Sequence, residues 1–256
     1  SNVQAFIGVG GPYRTDSNGD GRITTDDDIA NPDAIGILVD DFDFGMAMFS
    51  SKILQTEFTT LKARANQVGF IGMGDAVKFS LEDVLVDLNI SNNDLYVIDY
   101  SALDGGKLDI DTGDDEYPIS FDYDNTFIQA SVGHATAAIA NIVSLEGGFT
   151  FQKRILDNVT YHAMGTQVTA GGDALIVAGQ DVYAFAGIRG PYMTDTDGDG
   201  DLSDEIPNAD AIGFAINDLD FALALVQPTI GGGATLPINF FALETSADYA
   251  GLVGTD

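Results

Sequence analysis

The stretch Asp40-Asp41-Phe42-Asp43-Phe44-Gly45-Met46-Ala47-Met48 decides the fold class. Phe42, Phe44, Met46 and Met48 alternate with acidic or small residues, a period of two that belongs to a strand with one face against a core. Asp41 and Asp43 fall on the opposite, polar face. The alternation returns at Leu219, Phe221, Leu223 and Leu225, with Asp218 and Asp220 in the acidic places. These acidic pairs are either simply exposed or complete a neighbouring site.

Outward from this stretch, the same period recurs. Val77, Phe79 and Leu81 alternate in one phase, and Val84, Val86, Leu88 and Ile90 in the other; the switch at Glu82-Asp83 reads as a β-bulge. Ile119, Phe121 and Tyr123 alternate with Ser120, Asp122 and Asp124. Ala135–Ala140 is alanine-rich enough for a short helix, and a strand is expected to leave Gly148. The expected class is all-β, with long antiparallel strands arranged as a sandwich or as a continuous solenoid-like sheet.

The chain also repeats itself. Val3-Gln4-Ala5-Phe6-Ile7-Gly8, Gly11-Pro12-Tyr13 and Asp16 return as Val182-Tyr183-Ala184-Phe185-Ala186-Gly187, Gly190-Pro191-Tyr192 and Asp195. After a segment two residues shorter, Asn31, Asp33, Ala34, Ile35 and Gly36 return as Asn208, Asp210, Ala211, Ile212 and Gly213. Leu61–Gly72 aligns more faintly with Leu243–Gly254. Residues 1–181 therefore read as one full repeat unit and 182–256 as the first part of the next. A chain that stops partway through a repeat is expected to come from a longer array. No Pro- or Ser-rich linker separates the units, which are expected to pack together or share a sheet.

Composition narrows the functions. Of 256 residues, 40 are Asp or Glu and 10 are Lys or Arg, a formal net charge of −30. That charge argues against nucleic acid and against anionic membranes as partners. No apolar run of 18 or more residues offers membrane insertion. Cysteine is absent, which excludes disulfides, zinc-thiolate sites and thiol nucleophiles. His134 and His162 lie in no catalytic motif, and no nucleophile elbow, zinc-protease motif or phosphate loop occurs. An enzyme is not expected.

The motif with chemistry in it is Asp16-Ser17-Asn18-Gly19-Asp20-Gly21-Arg22-Ile23-Thr24-Thr25-Asp26-Asp27. Oxygens at positions one, three and five wrap a hard cation, glycine at six permits the sharp turn, the carbonyl at seven adds a ligand and a carboxylate at twelve closes the shell. Those places hold Asp16, Asn18, Asp20, the Arg22 carbonyl and Asp27. Asp27 is shorter than the usual glutamate, so Asp26 or Asp28 is an alternative closing ligand. The second loop supplies Asp195, Asp197, Asp199 and the Asp201 carbonyl, with Asp204 or Glu205 to close it. Ile23 and Leu202 are placed to tuck each loop onto the body. Calcium suits these oxygens better than magnesium, which demands tighter octahedral geometry. A third acidic run, Asp109-Ile110-Asp111-Thr112-Gly113-Asp114-Asp115-Glu116, reads equally as a cation site or a solvated turn.

These loops resemble the D-x-D-x-D-G calcium loop of EF-hands and dockerins, without the flanking helices. The unit as a whole resembles tandem repeats of large, acidic, cysteine-free bacterial surface proteins of adhesin type. That resemblance implies secretion, cell-surface attachment and calcium-dependent rigidity. The leading expectation is a non-enzymatic extracellular structural or adhesive module whose partners are neighbouring repeats. Self-assembly through strand edges is a further expectation. The alternative is a carbohydrate- or apolar-ligand-binding β module, weakened for sugars by the absence of tryptophan.

Overall fold

The computed structural model describes residues 3–19, 21, 29–93, 95–112, 118–163, 165–196, 202–230, 234–235 and 238–254. The chain is all-β, with long antiparallel strands in one large open sheet that does not close into a barrel. In chain order the strands are β1 (Val3–Val9), β2 (Ile35–Ser51), β3 (Thr56–Ile71), β4 (Val77–Ser91), β5 (Leu108–Ile110), β6 (Ile119–Phe121), β7 (Phe127–Ile139), β8 (Val143–Ala163), β9 (Thr166–Ile188), β10 (Ile212–Ile230), β11 (Ala234–Thr235) and β12 (Phe240–Val253). The sheet runs β1-β2-β3-β4-β7-β8-β9-β10, with β11 and β12 on the outer side of β10. The β5–β6 hairpin forms a separate small sheet. The boundary between residues 181 and 182 falls inside β9, so the sheet passes through it without a break.

The Ala135–Ala140 segment is not helical. Ala135–Ile139 belongs to β7 and pairs with β4 on one side and β8 on the other. Two ladders of backbone hydrogen bonds outweigh alanine's few tenths of a kcal/mol of helix preference per residue.

Registers recur along the chain. Ala5↔Val39, Phe6↔Leu38, Ile7↔Ile37 and Gly8↔Gly36 on β1–β2 have counterparts in Ala184↔Ile216, Phe185↔Ala215, Ala186↔Phe214 and Gly187↔Gly213 on β9–β10. Gly8 and Gly36 face each other so closely that a Cβ on Gly8 would lie 2.8 Å from the Gly36 Cα, and Gly187 would meet Gly213 at 2.7 Å. Only glycine fits both strands there.

A crease crosses the sheet. Asp41 on β2, Asp83 on β4, Asp181 on β9 and Asp218 on β10 take left-handed φ values of 50°, 52°, 51° and 51°. On β8 the line passes through Gly147, φ 144°, and on β7 through Gly133, which faces Asp83. A left-handed residue breaks the two-residue alternation, which explains the phase change read at Glu82-Asp83. Apolar positions are odd before Asp41 (Ile35, Ile37, Val39) and even after it (Phe42, Phe44, Met46). The register shifts at the crease between β7 and β8, β8 and β9, and β9 and β10. Between β3, β4 and β7 it stays intact, with Gln67↔Glu82 and Ala65↔Val84 on either side of Asp83, so no extra residue is inserted there.

The two faces differ in what covers them. Residues paired across strands share a face. One such row is Phe44, Ala63, Val86, Ala130, Phe151, Val177, Leu223 and Leu243, and it carries no polar side chain. The row on one side of it runs from Met46 on β2 to Phe241 on β12, and the row on the other from Phe42 to Thr245. The alternation placed this face against a core, yet Phe44 is 54% exposed, Met48 70% and Leu243 58%. Most burial occurs instead on the opposite face, although Ala65, beside the crease, is buried on this one. The β5–β6 hairpin lays Ile119 on Gly45 and builds a cluster of Ala47, Tyr100, Ile119 and Phe121. Tyr100 donates its hydroxyl to Thr60 at 2.7 Å, and Thr60 donates to Asn89 at 2.9 Å. Small residues at Gly45 and Ala47 make room for this cover, so the side that looked poor in apolar surface is the packed one.

Candidate cation-binding loops and acidic trough

Each acidic loop hangs from an asparagine staple. In the first, Asn31 Nδ2 donates to the carbonyls of Gly10 at 2.5 Å and Pro12 at 3.2 Å, while Asn31 Oδ1 accepts from Asp33 N at 3.0 Å. In the second, Asn208 Nδ2 donates to Arg189 at 2.8 Å and Pro191 at 3.2 Å, and Oδ1 accepts from Asp210 N at 3.0 Å. The backbone N–H groups of Asn31 and Asn208 donate to the carbonyls of Tyr13 and Tyr192. The staple closes the base of the loop.

In the first loop Asp16 organises the turn. Its Oδ1 accepts from Gly19 N at 2.5 Å and its Oδ2 from Gly21 N at 2.8 Å. Gly19 and Gly21 have φ of 80° and 84°, a conformation that suits glycine and bends the chain around the carboxylate. Asp16 and Asn18 are both exposed at the loop tip. Asp20, Arg22, Asp26, Asp27 and Asp28 lie outside the described residues.

In the second loop Glu205 reaches back to the start of the motif. Its carboxylate accepts from Thr196 N at 2.6 Å and from Thr196 Oγ1 at 3.0 and 2.8 Å. That places Glu205 beside Asp195, whereas Asp204 is exposed. Asp197, Asp199 and Asp201 lie outside the described residues. Leu202, 3% exposed, packs with Tyr183 and Met193 and ties the loop to the face of β9. In the third acidic run, Asp109 accepts from Ser120 Oγ at 2.5 Å and pairs with Lys107 at 2.9 Å on the open side of the β5–β6 hairpin.

The second loop borders a trough of about 1940 Å³ that follows the crease on the covered face. Its walls include Glu82, Asp83, Glu146, Asp181, Asp218 and Asp220. Glu146 is largely buried. Desolvation raises its pKa above the ordinary 4.5, Asp195 raises it further, and His134, at 3.9 Å, and Lys78 pull it back. Asp181, Asp218 and Asp220 bring carboxylate oxygens within 4.8 Å of one another. Asp181 N donates to Asp220 Oδ1 at 3.1 Å, and Gln180 Nε2 donates to Asp181 Oδ2 at 3.0 Å. Asp218 and Asp220 stand out as a pair in the sequence; Asp181 does not. The sequence signal lies in the crease, where aspartate interrupts the alternation of a strand. Crowded carboxylates on a polar wall can take hard cations or cationic groups.

The chain matches no protein-family model, no curated protein and no solved structure. Among the described residues, no helix is long and apolar enough to cross a membrane.

Proposed function

We propose that this chain is part of an extracellular, non-enzymatic structural or adhesive array in which each repeat carries one acidic loop that calcium rigidifies. The observation that carries the reading is the duplicated loop base: Asn31 and Asn208 make the same set of hydrogen bonds beneath the same D-x-[ND]-x-D-G pattern. The same base beneath both loops presents the two acidic patterns in the same way, as a site belonging to the repeat requires. In the first loop Asp16, Asn18, Asp20, the Arg22 carbonyl and Asp27 form the shell. In the second, Asp195, Asp197, Asp199 and the Asp201 carbonyl form it, closed by Glu205 rather than Asp204, since Glu205 is the one that returns to Thr196. The net charge of −30 adds a general reason to bind divalent cations, because each ion relieves repulsion between carboxylates.

Thermal melting with calcium and with a chelator tests this. An ion that binds only the folded chain at a hundred times its Kd adds about 2.7 kcal/mol. The expected result is a clear rise in Tm with calcium, reduced by Asp16→Ala or Asp195→Ala alone and abolished when both are changed. A Tm that is the same in calcium and chelator sinks the proposal.

A further inference from the structure

We propose that the bare apolar face of the sheet is the docking surface for a second copy of this chain, packed face to face as the two layers of a sandwich. Three adjacent rows of side chains cross β2, β3, β4, β7, β8, β9, β10 and β12, with the middle row centred between Ala130 and Phe151. Phe44, Phe151 and Leu243 are all exposed, and among the described residues of these rows only the small Ala65 and Gly179, beside the crease, are buried; the buried clusters of Tyr100, Phe121 and Leu202 belong to the other side.

Area favours a protein partner. At ~4.8 Å per strand and ~6.8 Å per row, the three rows cover on the order of 750 Å². Beyond the crease the apolar face continues in two shorter rows, from Phe79 to Ala250 and from Val77 to Leu252. A stable interface takes about 800 Å² from each partner. Contiguous apolar patches of this size are uncommon on free monomers.

Charge selects a second copy. The three rows carry a single charged side chain, Lys153, in a chain of net charge −30. The trough carboxylates, and Leu202 at the end of the second loop, lie on the other face, so two copies meeting on these rows keep those carboxylates apart. A pleated plate with this row spacing is best matched by another plate of the same spacing, and sheets pack this way with about 10 Å between layers. The contact is isologous, which closes at a dimer.

Mass by light scattering or sedimentation equilibrium is the first test, on the whole chain across a concentration series. The expected species is twice the 27.0 kDa of one chain. Leu223→Asp is expected to return it to a monomer with its far-ultraviolet strand signal intact. Because that variant risks misfolding, single cysteines placed in the cysteine-free chain provide a second test. Under mild oxidation Phe151→Cys, next to the centre of the patch, is expected to form a covalent dimer at least tenfold faster than Thr150→Cys, whose side chain lies on the opposite face. A monomer at every concentration overturns the proposal, and overturns it in favour of an apolar ligand if the monomer then binds neutral phosphatidylcholine vesicles. A dimer that survives Leu223→Asp, or equal cross-linking at both cysteines, also overturns it and assigns association to strand edges. None of these readouts depends on calcium, so the array reading and this one fail separately.

Discussion

Glu146 is the side chain in which fold and proposed ion site meet most directly. Its carboxyl keeps its proton to higher pH in the folded chain than in the unfolded one, through burial first and Asp195 second. From the ordinary value of 4.5 up to the raised folded value, the native state binds more protons, so stability falls as pH rises through that window. Glu146→Gln is expected to make the chain more stable relative to the parent as pH rises through that window, and to add nothing below the unfolded carboxylate range. Urea midpoints at pH 7 and below that range check this; an equal gain at both would mean the charge is not the cause. Calcium bound to the second loop as proposed would neutralise Asp195, and the gain at pH 7 is then expected to shrink when calcium is present. The asparagine staples give a second residue-level expectation. Asn31→Ala and Asn208→Ala each remove three hydrogen bonds, two of them from carbonyls left in the loop base. A loss of about 1–3 kcal/mol in urea unfolding is expected for each, together with weaker calcium binding. An unchanged midpoint would mean that the loops are held elsewhere.

Individual strands show where reading the sequence succeeded and where it stopped. The period of two located β2, β4, β6 and β10, because alternation depends only on neighbouring residues. It also found the phase change at Asp83. It did not find which face is packed, since that depends on a hairpin contributed by residues far along the chain: Ile119 reaches Gly45 only after the chain has folded back. Large apolar side chains on β2 were a reasonable guide to the core, and the small ones turned out to admit the cover. The acidic loop pattern and the recurrence of Asn31 as Asn208 are visible in the sequence; the staple that each asparagine forms is not, because it joins carbonyls about twenty residues away. Asp181 was not legible, because its nearness to Asp218 and Asp220 arises from pairing between β9 and β10. At the crease, aspartate is tolerated in the left-handed region better than most side chains, while a β-branched residue is not. Asp83→Val is expected to destabilise by about 1–3 kcal/mol and Asp83→Gly by less than half as much. Denaturant unfolding separates the two; equal losses would show that the carboxylate, rather than the backbone, matters there.

Across the whole molecule, the charge of −30 makes stability depend on the ionic medium in two separable ways. Monovalent salt screens repulsion between exposed carboxylates, with a Debye length near 8 Å at physiological strength, and is expected to raise Tm gradually. Calcium at far lower ionic strength is expected to exceed that effect and to saturate. Magnesium matched to calcium in concentration separates a shaped site from a charged surface: an equal rise with either ion assigns the effect to screening alone.

The strand order follows the chain order almost without interruption, from β1 at one margin of the sheet to β12 at the other. Tension applied to the two ends therefore acts across the strands, along the direction in which antiparallel hydrogen bonds point. Under such a load, each ladder opens from one end, bond by bond, instead of giving way all at once. A chain pulled in an optical trap is expected to pay out in a series of small, low-force steps, strand after strand, and to reclose in the reverse order when slackened. On that expectation the sheet lengthens under load by peeling and shortens again by re-pairing its strands.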